Sequence, residues 1–240
     1  MKVTQVADEK RMTIFEHLAE LRMRLIRSFV ALAVATLFSL LFTRPIFEIL
    51  KAPAYPIDLI FIDPTEGMGS YFRVALLAGV ILAMPAIVYQ AAMFVMPGLT
   101  PAEKRYLFWL LPGATLSFVI GVVFAYAVLM PPAITFLLGW PGEDIARPQI
   151  RLSSYIDFVT RFLFWVGVVF ETPLIIYFLA KVRVVSPQRL ASLRKYAIVG
   201  AFALGAIITP TFDPVNQTLV AVPLILLYEV GIFLAKLAYR

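Results

Sequence analysis

The run Phe164-Trp165-Val166-Gly167-Val168-Val169-Phe170-Glu171-Thr172-Pro173-Leu174-Ile175-Ile176 holds one ionisable group in thirteen residues. The apolar stretch around it extends over residues 156–180, longer than the roughly 20 residues that cross a hydrocarbon core. Five more stretches share its character: 25–42, 71–96, 107–130, 197–209 and 215–235. The first three are long enough to span. The fifth in chain order, 197–209, is short, and polar Asn216 and Gln217 interrupt the start of the sixth. The reading is an all-α integral membrane protein of six transmembrane helices in one domain, 1–240, with short spans five and six. The composition agrees: 61% of the 240 residues are hydrophobic, mean hydropathy is +0.88, and 15% are charged. A soluble domain carries nearer a quarter charged residues.

Orientation follows from the basic residues, which concentrate on the cytoplasmic side of membrane proteins. With the N-terminus inside, 15 of the 21 Lys and Arg fall in cytoplasmic segments, among them Lys104, Arg105, Lys181, Arg183, Arg194 and Lys195. Outside lie Arg44, Lys51, Arg147 and Arg151, with Arg73 and Arg161 at helix starts. Both termini are expected in the cytoplasm. The net charge of +6 then reports topology and anionic lipid rather than nucleic acid. The polar first 24 residues have no cleavage site and do not read as a secretory signal peptide. Loops 43–70 and 131–152 are rich in proline (Pro45, Pro53, Pro56, Pro64; Pro131, Pro132, Pro141, Pro148), and predict an ordered cap on the outer face.

Several chemistries are excluded. Without cysteine there are no disulfides or thiolate metal sites, and one histidine, His17, cannot make a multi-histidine site. No phosphate-binding loop, H-E-x-x-H or G-x-S-x-G motif occurs. No catalysis, metal or cofactor is expected, so energy must come from a gradient or a partner.

Among the remaining polar residues Glu171 lies ten residues from Lys181, about 15 Å deep at 1.5 Å per residue. A carboxyl group there is costly unless paired, hydrated or protonated, and marks function or a packing hydrogen bond. Pro173 removes an N–H beside it and predicts a kink. Gln90, in the second span, is either its polar neighbour or interhelical glue. Thr13 and Glu16 read as a capping box opening a surface helix with an apolar stripe of Phe15, Leu18, Leu21 and Leu25. Glu20 and Arg24 stand at i, i+4, the spacing of a helix salt bridge. Thr100, Pro101 and Glu103 make a helix start in which the glutamate caps. Ser154 with Asp157 reads as a similar start for span four, and Ser186-Pro187 opens a short basic helix.

In order along the chain stand His17-Leu18-x-Glu20-Leu21-Arg22-x-Arg24, Pro53, Thr65-Glu66, then Tyr89-Gln90-x-x-x-Phe94-x-x-Pro97-Gly98-Leu99 with Glu103. Phe170-Glu171-x-Pro173 and Thr209-Pro210 through Asp213, with Gln217-Thr218, complete the series. Together they resemble, over nearly the whole length, the TatC family, the polytopic subunit of the bacterial twin-arginine translocase. Met68 departs from the phenylalanine common two residues after the Thr-Glu pair. The resemblance implies an inner-membrane receptor for signal peptides bearing two adjacent arginines, exporting folded precursors under the proton-motive force. It implies single-span TatA- and TatB-type partners, further copies of the chain, and membrane lipid. It makes Glu20 and Glu103, with Arg22, Phe94, Pro97 and Leu99, the signal-peptide site. Glu171, Pro173 and Gln90 become a polar partner groove, and Pro53, Glu66 and Asp213 outer-loop positions. The alternatives are a proton-coupled small-solute transporter using Glu171 and a structural scaffold.

Overall fold

The computed structural model describes residues 14–55, 59–139, 149–209 and 213–239. The expected Thr13 cap lies outside these residues, as do Pro56, Pro141, Pro148 and Pro210.

The chain is helical almost throughout. Helix α1 (Ile14–Ser39) joins the expected surface segment and first span in one unbroken rod, and Phe15 at its start is 84% exposed. After a 3-10 turn, α2 (Thr43–Lys51) leads to β1 (Leu59–Ile60) and the long α3 (Glu66–Val95). Helices α1 and α3 touch backbone to backbone at Gly79. A Cβ there would lie 2.7 Å from the Cα of Thr36, so only glycine permits the approach.

Helix α4 (Pro101–Phe124) passes through a turn of π-helix, Ala125–Leu129, into α5 (Met130–Gly139). The sequence placed an ordered cap loop from residue 131; instead the helix continues to Gly139. Pro131 and Pro132 directly follow the π-turn, a local widening that accommodates the missing N–H groups within the continuing helix.

Span four is two helices, α6 (Leu152–Phe170) and α7 (Thr172–Lys181), broken at Glu171 beside Pro173 as the proline predicts. Ser154 is not its cap. Strand β2 (Ile150–Arg151) ends the extended backbone at Arg151, so the helix begins at Leu152 and Ser154 falls inside it. Helix α8 (Pro187–Ser192) does start as read, with Ser186 Oγ accepting from the Arg189 N–H at 3.3 Å. Helices α9 (Arg194–Ile208) and α10 (Pro214–Tyr239) follow. Among the described residues five helical stretches are long and apolar enough to cross a membrane. The 15 residues of α9 reach only about 22 Å, short of a hydrocarbon core about 30 Å thick.

Helix α6 is the centre of the molecule, with Ile156, Val159, Phe162, Leu163 and Val166 buried. It crosses α4 where Gly121 meets Gly167. A Cβ on Gly121 would lie 2.7 Å from Phe170 Cβ, and one on Gly167 would lie 2.8 Å from the Phe118 ring. One end carries a cap. Strands β1 and β2 pair in parallel, Leu59 with Ile150 and Ile60 with Arg151. Tyr126 and Tyr155 donate to the carbonyls of Ile49 and Leu50, each at 2.7 Å, and so tie α2 to the span helices.

Candidate functional site

At the end opposite the cap, α1 and α3 share a polar cluster. Arg24 donates through Nη2 to Glu20 Oε1 at 3.0 Å and through Nη1 to Gln90 Oε1 at 3.2 Å. The helix salt bridge is therefore present, and Gln90 bridges α1 and α3 rather than facing Glu171. The second carboxylate oxygen of Glu20 is buried and takes no hydrogen bond among the described residues. One turn nearer the N-terminus the His17 ring stacks on Phe94, centroids 4.4 Å apart and planes inclined by 19°. Arg22 is exposed on α1.

Phe94 stands near the end of α3. A 3-10 turn, Met96–Gly98, then presents exposed Pro97, and half-buried Leu99 leads to Thr100. Here the capping box closes. Glu103 Oε2 accepts from the Thr100 N–H and hydroxyl, each at 2.7 Å, and Thr100 Oγ1 accepts from the Glu103 N–H at 3.4 Å. Hydrogen bonds from the Thr100 hydroxyl, then its N–H, hold the carboxyl below the usual 4.5. Glu103 Oε1 takes no hydrogen bond among the described residues. The structure thus brings Glu20, Arg24, Gln90, His17 and Phe94 together, with Pro97, Leu99 and Glu103 on the turn that follows.

Glu171 lies apart, in a groove of about 430 Å³ walled by α3, α4 and α7 through side chains such as Val88, Leu111, Leu174 and Phe178. It is 8% exposed, and its Oε1 has no hydrogen-bond partner among the described residues. The break that places it there is stabilised from α4: Ser117 Oγ donates to the carbonyl of Phe170 at 2.7 Å. A carbonyl at a helix end otherwise goes unsatisfied.

At the cap, the Arg151 guanidinium donates to Glu66 Oε1, joining β2 to the start of α3, and the Asp63 N–H reaches the same oxygen at 3.3 Å. Pro53 lies in a short 3-10 turn after α2, half-buried. Asp213 opens α10, accepting from the Asn216 N–H at 2.6 Å and its side-chain amide at 3.0 Å. Sequence reading missed Arg151 as the partner of Glu66, since 85 residues separate them and no periodicity links them. It also missed Arg73, which sits 3.5 Å from Asp157, itself paired with Arg161 at 2.7 Å.

The chain matches the family model "Sec-independent protein translocase protein (TatC)" over residues 16–223. It is 44% identical to the Sec-independent protein translocase protein TatC of Aquifex aeolicus, covering 95% of this chain and 97% of that one. The chloroplastic TATC protein of Arabidopsis thaliana is 36% identical over 98% of this chain and 70% of its own length. A crystal structure described as the twin arginine translocase receptor TatC superposes with a TM-score of 0.84 at 44% identity, covering 94% of this chain and all of the other. None of these relatives is a solute transporter, and that alternative is set aside. Matched across nearly all its length by sequence and by fold, the chain belongs to the TatC family and is a multi-pass membrane subunit of the Sec-independent, twin-arginine protein translocase.

Proposed function

We propose that the chain is the receptor of that translocase, binding the arginine pair of signal peptides on folded precursors through Glu20 and Glu103. One observation carries the reading. Each carboxylate is held on a helix by one oxygen, Glu20 by Arg24 and Glu103 by Thr100, and the second oxygen of Glu20 takes no hydrogen bond among the described residues. A guanidinium can use such a fixed acceptor with a planar fork of N–H donors, which an ammonium lacks. His17 stacked on Phe94 holds the ends of α1 and α3 together one turn from Glu20. Arg22, Pro97 and Leu99 complete the surface.

The groove at Glu171 accepts the apolar stretch of the signal peptide or the helix of a single-span TatA- or TatB-type subunit. Its unpartnered oxygen meets the first polar group to enter. The chain crosses the bacterial inner membrane six times with both termini in the cytoplasm, works with other copies of itself, and draws on the proton-motive force. The uneven distribution of Lys and Arg supports this orientation. No catalytic step is assigned to it.

The test is site-specific crosslinking of a twin-arginine precursor to the chain in membranes. Crosslinks near residues 94–103 should vanish in Glu20→Ala and Glu103→Ala and with a Lys-Lys signal. Crosslinks indifferent to all three changes would return both glutamates to helix capping and overturn the receptor site.

A further inference from the structure

Near the cap end a second cluster of charge faces outward between α3 and α6. Asp157 divides its carboxylate: Oδ1 meets Arg73 Nε at 3.5 Å and Oδ2 meets Arg161 Nη2 at 2.7 Å. Two guanidinium groups thus share one carboxylate, which leaves a net charge of +1 and most of their N–H donors unused. The arginine side chains remain 46% and 63% exposed. Around them is a groove of about 330 Å³ whose other walls are apolar, Leu32 of α1, Leu76 and Val80 of α3, and Phe164 of α6. Thr160 also lines it, but its hydroxyl is spent on the Ile156 carbonyl at 2.7 Å.

The position sets the level in the membrane. Arg73 is seven residues into α3 and Arg161 nine into α6, about 10 and 14 Å below the cap ends of those helices. Both helices run away from the cap, so their Cα–Cβ bonds tilt back towards it. Long arginine side chains then lift their charge to the headgroup level while their stems cover apolar surface. A cation left at hydrocarbon depth would be costly, so the charge settles at the headgroup level, where a lipid anion can meet it.

We propose that the Arg73–Asp157–Arg161 cluster binds the phosphodiester headgroup of an anionic phospholipid in the leaflet at the cap end, with an acyl chain along Leu76, Val80 and Phe164. Two guanidinium groups held apart by a shared carboxylate offer parallel N–H pairs to phosphate oxygens, the geometry arginine supplies and lysine does not. The apolar floor selects a lipid over free phosphate. The site lies towards the opposite end of α3 from Gln90 and the Glu20 cluster and stands independently of the receptor reading.

The experiment is native mass spectrometry of the full chain released from vesicles of equal phosphatidylglycerol and phosphatidylcholine. Wild type should retain phosphatidylglycerol in preference. Arg73→Gln and Arg161→Gln should each cut that preference about fivefold, as expected for one arginine at a charged membrane surface. Arg194→Gln, at the other end of the molecule, should leave it unchanged. Asp157→Asn, which frees both guanidinium groups, should keep or raise it, so the proposal survives if the arginine variants fold poorly. Glycerol phosphate in solution should not displace the lipid; displacement would make this an anion site instead. Equal retention of both lipids, or a preference untouched by both arginine variants, would overturn the proposal. So would a photo-reactive residue at Leu76 that crosslinks in membranes to protein and not to lipid.

Discussion

Glu103 caps α4 through one oxygen and, in the proposed receptor site, would meet the precursor arginine through the other, so substitutions can separate the two roles. Glutamine serves in a capping box as well as glutamate does, so Glu103→Gln should leave the start of α4 intact. It should still reduce precursor crosslinking about tenfold, because the bond to arginine loses its charge. Alanine should lose both. The pH dependence has a definite sign. Thr100 holds the Glu103 carboxyl below 4.5, so the folded-state value is the depressed one. The capping contribution is complete above 4.5 and is lost as pH falls below that through the folded-state value. Precursor binding that depends on Glu103 should accordingly be flat from neutrality down to pH 5, which a binding titration would check. For Glu171, replacement by glutamine should leave precursor binding intact and impair transport. Equal export by Ala, Gln and Leu variants would remove its role. At this scale the sequence was readable where the chemistry is local. Thr100 with Glu103, Glu20 with Arg24 and Ser186 with Arg189 lie within four residues, and helical spacing alone pairs them. The same rule failed at Ser154, because whether a cap is used depends on where the preceding strand stops. That stop is set by Leu59 and Ile60, about 90 residues away.

The elements pack by close approach more than by bulk. Gly121 and Gly167 let α4 and α6 cross where a methyl group on either would overlap Phe170 or Phe118. Gly121→Ala and Gly167→Ala should each cost about 1–3 kcal/mol, the usual penalty for overfilling a packed contact, and lower the thermal midpoint in detergent. Gly113→Ala, whose nearest neighbour would be Leu174 Cδ1 at 3.9 Å, should be neutral. Ser117→Ala should strip the Phe170 carbonyl of its partner and destabilise the Glu171 break by about 1–3 kcal/mol. The break itself was legible from Pro173. The glycine crossing and Ser117 were not, since glycine and serine occur in membrane helices for many reasons and the partner helix lies some 50 residues distant. The end of α4 also escaped reading. Pro131 and Pro132 look like a stop, but the helix runs on through a π-turn directly before them, the kind of local adjustment that lets a membrane helix carry proline.

Across the whole molecule the two ends have different characters. One end gathers glutamates, an arginine and stacked rings, with a buried oxygen of Glu20 that takes no hydrogen bond among the described residues. The other is closed by paired strands, tyrosine hydroxyls on α2 carbonyls, and the Arg151–Glu66 ion pair, in which Glu66 is nearly inaccessible. Arg151→Ala would leave that Glu66 oxygen with the Asp63 N–H alone and should cost about 1–3 kcal/mol, read as early protease cleavage between residues 43 and 65. Glu66→Gln should be milder. The all-helical membrane fold, the short α9 and the broken span four follow from hydrophobic length and proline position. The closure of the cap does not, because it rests on contacts between loops far apart in sequence. The orientation has a direct check: the chain has no cysteine, so thiols introduced singly at Ser192 and Tyr55 report sidedness alone. Membrane-impermeant labelling of intact cells should reach Tyr55→Cys and spare Ser192→Cys.

The parallel pairing of β1 with β2 also sets an order of events during synthesis. Leu59 cannot meet Ile150 until the ribosome has made about 90 further residues, which at 5–20 residues per second takes roughly 5–20 s. For that interval the first hairpin of helices stands in the bilayer with β1 unpaired and Glu66 without its arginine. Insertion of α3, α4 and α5 has to run to completion before β2 arrives and the latch shuts. A nascent chain arrested short of residue 150 should therefore expose the 43–65 segment to added protease, and one arrested after α6 has entered the membrane should protect it.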